Sequence, residues 1–165
     1  MPDNEKTPHV IVLGLGNILL KDEGVGVRVI ERMQRDYAFP EGVTLFDGAT
    51  AGLDLMPVIE GYEKVIIVDT VKTGEPPGSI FRFTLDDIKL KVPYKTSLHQ
   101  IGVVEMFAIA EAMGKKHDAV IIGVQPFDMS SWGLELTPDI EAKVPEIIGL
   151  VLGELDALGI KPLEG

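Results

Sequence analysis

The feature that most constrains the fold is an apolar run that leads through a glycine-rich turn into an amphipathic helix. Residues 10–13 are apolar and mostly β-branched, as in a strand that is buried on both faces. The turn, residues 14–26, contains four glycines. The helical pattern that follows has one apolar face, made of Val25, Val29, Ile30, Met33 and Tyr37. In an open α/β sheet, such a strand-to-helix turn lies at the carboxyl edge, where ligands bind.

The rest of the chain alternates between strand-like and helix-like patterns. Strands are predicted at 9–14, 43–46, 65–68, 79–84 and 119–124, and helices at 24–38, 53–61, 97–113 and from 138 onward. Residues 79–84 alternate between apolar and polar, as expected of an antiparallel edge strand. The inward face of helix 97–113 is predicted to carry Ile101, Val104, Ala108 and Ala112.

These patterns predict an α/β fold, a three-layer α/β/α sandwich. Its sheet is expected to be twisted and mostly parallel, with about five strands and one antiparallel edge strand. We expect a single domain over residues 1–165, with 1–8 and 160–165 flexible.

The charge balance and the residue types that are missing exclude several classes of function. The chain has 15 Lys and Arg against 26 Asp and Glu, a net charge of -11, which argues against binding nucleic acid or an anionic membrane by bulk charge. It has no cysteine, which excludes disulfides, thiolate catalysis and cysteine metal sites. No stretch has the pattern of a secretory signal or of a membrane span of about 20 apolar residues. We therefore expect a cytoplasmic protein, and a monomer.

Three acidic residues follow predicted parallel strands, and a histidine begins a helix at the same edge. The acids are Glu23, Asp47 and Asp69, and the histidine is His99. Two carboxylates about 4 Å apart repel by roughly 4 kcal/mol at an effective dielectric of 20, so they favour a bound cation or a shared proton. Carboxylate and imidazole ligands together suit a divalent metal such as zinc or nickel. The sequence therefore predicts a metal site with open positions for water or substrate.

Each of these residues also has an ordinary structural interpretation. Acids at strand ends, such as Asp69, often bind helix or loop N–H groups. A glutamate in the first turn of a helix, such as Glu23, is favoured by the helix dipole. A single histidine such as His99 is more often structural than a ligand. Only the joint placement at one edge favours the metal interpretation.

Common catalytic signatures are absent from the sequence. Leu19 stands where the dinucleotide fingerprint requires a third glycine. The chain also lacks a Walker A loop, a His-Glu-x-x-His motif and a Gly-x-Ser-x-Gly elbow. Neither nucleotide chemistry nor a serine hydrolase is therefore indicated.

Five blocks between residues 10 and 150 together resemble the nickel–iron hydrogenase maturation endopeptidases. They are Gly14-x-Gly16-Asn17-x-Leu19-x-x-Asp22-Glu23-Gly24-x-Gly26, Asp47-Gly48-x-Thr50-x-Gly52, Val68-Asp69, Ser97-x-His99-Gln100 and Gly123-x-Gln125-Pro126. One departure is Ala49, where the family usually has glycine.

The resemblance implies a protease that removes a short C-terminal peptide from a hydrogenase large-subunit precursor after nickel insertion. In this family, the residues that match Glu23, Asp69 and His99 are the metal ligands. Asp47 matches an aspartate near the site, which we assign to catalysis or to positioning of substrate or water. The divalent metal is expected to be nickel presented by the substrate, as a recognition device as well as a Lewis acid. The matching blocks also contain four residues expected to contact the substrate: Gly16, Asn17, Thr50 and Gln100.

The residues leave the mechanism and two other functions open. A metal held by the site would polarise the scissile carbonyl or activate a water, with Asp47 or Glu23 taking the proton. An aspartic-type mechanism, in which two acids share a proton without a catalytic metal, is the alternative. The other functions are a metal-sensing chaperone that binds the precursor without cutting it and a peptidyl-tRNA hydrolase-like enzyme, which also begins with a strand and a Gly-x-Gly-Asn turn.

Overall fold

The structure, a computed structural model, describes residues 7–87 and 98–164, with the side chains of 98–101 outside the description. The strands are β1 (Val10–Leu15), β2 (Val43–Ala49), β3 (Lys64–Thr70), β4 (Ile80–Thr84) and β5 (Asp118–Val124). The helices are α1 (Val25–Asp36), α2 (Met56–Ile59), α3 (Leu98–Ala112), α4 (Pro138–Glu141) and α5 (Val144–Asp156). Short 3-10 turns at Lys21–Gly24 and Leu53–Leu55 precede α1 and α2.

The strands form one sheet in the order β2-β1-β3-β5-β4. Strands β2, β1, β3 and β5 are parallel, and β4 pairs antiparallel with β5 at the edge. The predicted fold is confirmed, including the antiparallel edge strand. At the carboxyl edge, Gly14 of β1 pairs with Asp47 of β2 on one side and with Val68 of β3 on the other.

Alternate residues of the strands enter two separate apolar cores. The core under α1, α4 and α5 contains Val10, Val12, Ile66, Val68, Val120 and Ile122 with Val25, Ile30, Met33, Ile140, Ile147 and Val151. The core under α2 and α3 contains Ile11, Leu13, Val65, Ile67, Ala119 and Ile121 with Leu55, Ile59, Val103, Met106 and Phe107. Because successive side chains point to opposite faces of a strand, a continuous apolar run fills both cores.

Helix α1 packs close to the sheet because its second residue is a glycine, Gly26. A Cβ added at Gly26 would lie 2.2 Å from the carbonyl oxygen of Val68 and 2.4 Å from that of Leu15. Only glycine permits this approach. The contact fixes the start of α1, and with it the preceding acidic turn, against the ends of β1 and β3.

Two local predictions differ from the structure. The final helix is interrupted after Glu141 and begins again at Val144, since Pro145 lacks an N–H group and fits only the first turn of a helix. The inward face of α3 carries Val103, Met106, Phe107 and Ala110, whereas Ala108 and Ala112, which were expected to face inward, are exposed. This helix is apolar on most sides, so its sequence pattern does not single out a face.

The C-terminal segment contacts the fold at two points. Ile160 is buried in the core under α1 and α5, and the amide of Leu163 donates to the carbonyl oxygen of Ala38 at 2.7 Å. The expected flexibility of residues 160–165 stays a prediction. At the other end, residues 1–6 lie outside the described residues.

Within the described ranges, no helix combines the length and the apolar character needed to cross a lipid bilayer.

Candidate active site

The acidic turn lies where β1 ends and α1 begins, and Gly16 allows it to pack closely. Gly16 has a φ of +136°, and a Cβ there would lie 1.7 Å from the carbonyl oxygen of Glu23. Asn17 shapes the same turn, because its side-chain oxygen accepts a hydrogen bond from the amide of Leu19 at 2.9 Å. Both residues therefore build the turn. Their predicted contact with substrate stays a prediction.

Asp22 and Glu23 are neighbours with different environments. Asp22 is 0% exposed, and its carboxylate accepts hydrogen bonds from the amides of Phe127, Asp128 and Thr137 at 2.8–3.0 Å. The hydroxyl of Thr137 lies 3.0 and 2.9 Å from the two carboxylate oxygens. Asp22 thus joins the acidic turn to the loop at 125–137 (the β5 loop). Glu23 is 8% exposed and belongs to a different group of side chains, the acid pair with Asp69.

Glu23 and Asp69 form an acid pair at the carboxyl edge. Asp69, the penultimate residue of β3, is 0% exposed. Its Oδ1 accepts a hydrogen bond from the amide of Thr70 at 2.7 Å, while no donor among the described residues reaches its buried Oδ2. Burial raises the pKa of Asp69 to about 7, against the hydrogen bond from Thr70, and the charge of Glu23 raises it further. The charges of the two carboxylates therefore interact.

This pair fits a divalent cation. A buried carboxylate oxygen without a donor, next to a second carboxylate, is satisfied either by a cation or by a proton. Hard oxygen ligands of this kind bind many divalent metals. Among the side chains that the structure describes, no group of three potential ligands is assembled. The third predicted ligand, His99, belongs to the side chains outside the description.

The backbone places His99 at the same edge of the sheet. Helix α3 begins at Leu98, so His99 lies in its first turn. One turn later, the helix passes against the loop that follows β2, since a Cβ on Gly52 would lie 3.2 Å from the Cα of Gly102. The predicted roles of His99 and Gln100 depend on side chains outside the described part of the molecule, and they stay predictions.

Asp47 lies at the same edge but on the other face of the sheet. Asp47 pairs with Gly14, and a Cβ added at Gly14 would point toward α1, so Asp47 faces the layer of α1. Val68 lies in the core under α1, so Asp69, the next residue of the strand, faces the layer of α3. Asp47 is exposed, and its Oδ1 accepts a hydrogen bond from the amide of Ala49 at 2.9 Å. Strand β2 runs two residues beyond Asp47, to Ala49. The structure therefore brings Glu23 and Asp69 together and leaves Asp47 at the rim.

The last residue of β2, Ala49, has a strained backbone. Ala49 has a φ of 47°, in the left-handed region that disfavours residues with a Cβ. Thr50, a predicted substrate contact, follows it and is exposed. The end of β2 therefore carries a local strain that a glycine would relieve.

A cleft of about 530 Å³ continues the carboxyl edge beyond Asp69. It is lined by Lys72, Gly74, Gln125, Pro126, Phe127, Asp128, Met129 and Ser130. Gln125 closes one side, because its Oε1 accepts a hydrogen bond from the amide of Thr73 at 2.7 Å. The edge therefore presents, in the order of the strands, an exposed acid, a buried acid pair and an open cleft.

The structural role of Asp22 was not predicted from the sequence. Thr137 directly precedes α4, at the position of a helix cap, but its side chain makes no cap hydrogen bond and binds Asp22 instead. The sequence gives little indication of this contact, because Asp22 and Thr137 are 115 residues apart.

Comparison with known proteins agrees with this geometry. Residues 27–154 match the family model described as hydrogenase maturation protease. The chain is 37% identical to the hydrogenase expression/formation protein HupD of Bradyrhizobium diazoefficiens, over 97% of this chain and 84% of the relative. It is 30% identical to the hydrogenase 2 maturation protease of Escherichia coli K12, over 94% and 95% of the two chains.

Solved structures agree as well. The hydrogenase maturating endopeptidase HybD from E. coli superimposes with a TM-score of 0.88 at 29% identity, over 94% of this chain and 96% of HybD. The sheet order, the acidic turn and the sequence match thus lead to the same assignment. This chain belongs to the hydrogenase maturation proteases, a family of peptide hydrolases.

Proposed function

We propose that this protein removes the C-terminal peptide of a nickel–iron hydrogenase large-subunit precursor that already carries nickel. The observation that carries the proposal is the Glu23–Asp69 pair. In a member of this protease family, it places two carboxylates beside each other at the ligand-binding edge of the sheet. The family membership decides against the peptidyl-tRNA hydrolase alternative.

In this proposal, the acid pair recognises the nickel that the precursor carries. Glu23, Asp69 and His99 would hold the metal, and the buried Oδ2 of Asp69 would gain the partner that it lacks among the described residues. A divalent metal in this position supplies a Lewis acid and a fixed point for the scissile peptide. The chain's own residues fix the pair: β3 holds Asp69, and the turn that packs on Gly16 holds Glu23.

The pair also accounts for proton transfer during hydrolysis. Water adds to the scissile carbonyl carbon, the carbon–nitrogen bond breaks, and one proton passes to the leaving amine. Glu23, whose charge acts on Asp69, would accept the proton from the water. Asp47 lies on the other face of the sheet, so we assign it to contact with the precursor at the rim rather than to the proton transfer.

The aspartic-type alternative rests on a specific observation. A carboxyl group with a pKa of about 7 carries a proton in a large fraction of molecules at neutral pH. Asp69 would then donate this proton while Glu23 stays ionised, as in other carboxyl pairs that share one proton. The two mechanisms differ in whether cleavage requires nickel in the precursor.

The deciding experiment compares nickel-loaded and nickel-free precursor as substrates of the purified protein. Mass spectrometry of the large subunit should show loss of the C-terminal peptide only from the nickel-loaded form. Equal cleavage of both forms would reject nickel recognition and support the aspartic-type mechanism. Binding of the loaded precursor without any shortening would instead identify the protein as the non-cleaving chaperone.

Two further expectations stay predictions. The sequence predicts a monomer and a cytoplasmic location, and both are checked directly, by light scattering and by cell fractionation.

A further inference from the structure

Asp22 is a buried carboxylate that the proposed chemistry does not use. It is 0% exposed, as buried as Asp69, whereas Glu23 is 8% exposed and Asp47 is exposed to solvent. Burying a carboxylate is unfavourable unless hydrogen bonds satisfy it. Here four donors from the β5 loop do so: the three amides of Phe127, Asp128 and Thr137 and the hydroxyl of Thr137.

The acidic turn depends on ties of this kind to keep its shape. Lys21 has a φ of 49°, an unfavourable conformation for a residue with a side chain. The 3-10 turn Lys21–Gly24 has no side-chain cap. Its backbone is tied to the β5 loop instead: the amide of Lys21 donates to Gly133 at 2.9 Å, and the amide of Asp22 donates to Asp128 at 3.0 Å.

These ties act directly on the position of Glu23. Its backbone follows Asp22, its amide donates to the carbonyl oxygen of Leu20 at 3.1 Å, and its carbonyl oxygen packs on Gly16. A change at Asp22 therefore shifts the backbone that carries the Glu23 carboxylate.

We propose that Asp22 is a positioning residue: by binding the β5 loop, it holds Glu23 beside Asp69 and affects the reaction only through Glu23. This inference rests on the proposed function of the acid pair. Asp22 thus positions the backbone, whereas its neighbour Glu23 takes part in the proposed reaction.

A double-mutant cycle tests this. We would measure kcat/KM on nickel-loaded precursor, and the Kd of the same precursor, for the full chain and for Asp22→Asn, Glu23→Gln and the double variant. With the side-chain N–H₂ group of asparagine in place of Oδ2, the amides of Phe127 and Asp128 lose their acceptor. The β5 loop should therefore separate from the acidic turn. Since a misplacement of about 1 Å can cost about 100-fold in rate, Asp22→Asn should lower kcat/KM by about 100-fold. In the Glu23→Gln background, it should change kcat/KM and Kd by less than about twofold, because interacting residues are not additive.

Three controls keep the result decisive. Val151→Ala, in the core under α5, lowers the melting temperature without touching the turn, and should leave kcat/KM unchanged at a temperature where it is folded. Thr137→Val removes only the hydroxyl bonds and should give a smaller loss than Asp22→Asn. Amide exchange at Phe127 and Asp128 should accelerate in Asp22→Asn and not in Val151→Ala.

The outcomes separate this inference from the proposed function. An equal loss from Asp22→Asn in both backgrounds, or no loss at all, would overturn the positioning role. If Glu23→Gln cleaves at the normal rate, the acid pair itself is wrong. If Asp22→Asn does not fold, the same cycle run with Thr137→Val decides the question.

Discussion

Asp69 combines an energetic cost of burial with a proposed functional role. Its carboxyl group is buried beside Glu23, and burial raises its pKa to about 7. Between the unfolded value of about 3.8 and this folded value, the folded chain binds the proton more strongly than the unfolded chain. The free energy of unfolding should therefore fall as the pH rises from about 4 to about 7, and should level off above that range.

Substituting Asp69→Asn removes this titration. Asparagine can still accept the hydrogen bond from Thr70, and it places an N–H₂ group near Glu23 where Oδ2 was. At pH 8, the variant should be more stable than the parent chain by on the order of 4 kcal/mol, since one pKa unit corresponds to about 1.4 kcal/mol. Urea unfolding should show nearly equal free energies of unfolding for the variant and the parent chain at pH 4, and the gain in stability at pH 8. The variant should also lose cleavage of the precursor. The exposed Asp47→Asn serves as control, and equal pH profiles for all three proteins would contradict the prediction.

Ala49 is a second residue whose local conformation has a measurable cost. Its φ of 47° favours glycine, so Ala49→Gly should stabilise the protein by about 1 kcal/mol. Urea denaturation measures the gain. The matched control is Ala157→Gly, because Ala157 has a right-handed helical φ of -61° and the same substitution should destabilise there. A loss of stability at both positions would show that Ala49 is not strained.

At the scale of elements, the contact between α1 and the sheet decides where the acidic turn lies. Gly26→Ala would place a methyl group 2.2 Å from the backbone oxygen of Val68, and backbone atoms cannot move aside easily. We expect a loss of about 3 kcal/mol or more in thermal unfolding, the upper part of the range for overpacking. Gly149→Ala, in α5 with open space around it, should stabilise by up to about 1 kcal/mol. Similar effects of the two substitutions would rule out the close contact.

The β5 loop is the second element that shapes the edge of the sheet. The parallel β-bridge between Leu20 and Gly133 places Leu19 across from Trp132, and the side chains of Leu19, Trp132 and Leu134 are all exposed. Large exposed apolar side chains next to a site often contact a partner. In the proposed function, this partner is the precursor.

Trp132→Ala tests this contact. The side chain is 78% exposed, so its loss should leave the melting temperature unchanged. Removing an aromatic contact of about 1 kcal/mol or more should raise KM for the precursor about fivefold or more, with kcat nearly constant. The control is Met113→Ala, 68% exposed and located before β5 begins, at the opposite edge of the sheet. Equal KM values for Trp132→Ala and the parent chain would exclude Trp132 from the interface.

At the scale of the whole molecule, two histidines lie at opposite edges of the sheet. His99 begins α3 at the carboxyl edge, whereas His117 precedes β5 at the opposite edge, with its Nδ1 3.1 Å from the carbonyl oxygen of Tyr62. His99→Ala should abolish processing of the nickel-loaded precursor with the fold intact by circular dichroism. His117→Ala should leave processing unchanged. Normal cleavage by His99→Ala would assign His99 a structural role.

The sequence by itself determined the order of strands and helices, the parallel sheet and the edge that carries the acids. These follow from periodicity and from the turn at residues 14–26, which are local properties of the chain. The blocks of residues shared with a known family also identified Glu23, Asp69 and His99 as candidates. Glu23 and Asp69 are adjacent in the structure, while the role of His99 remains a prediction.

Only the tertiary structure decided which face each side chain occupies and which distant segments meet. Asp47 and Asp69 lie on opposite faces because the register of the strands, not their order, sets side-chain direction. The inward face of α3 depends on which of its apolar sides the sheet covers. Asp22 finds its donors more than a hundred residues away, where the folded sheet brings the β5 loop to the acidic turn. Each of these outcomes depends on long-range contacts that form only when the cores pack, so no local pattern in the sequence records them.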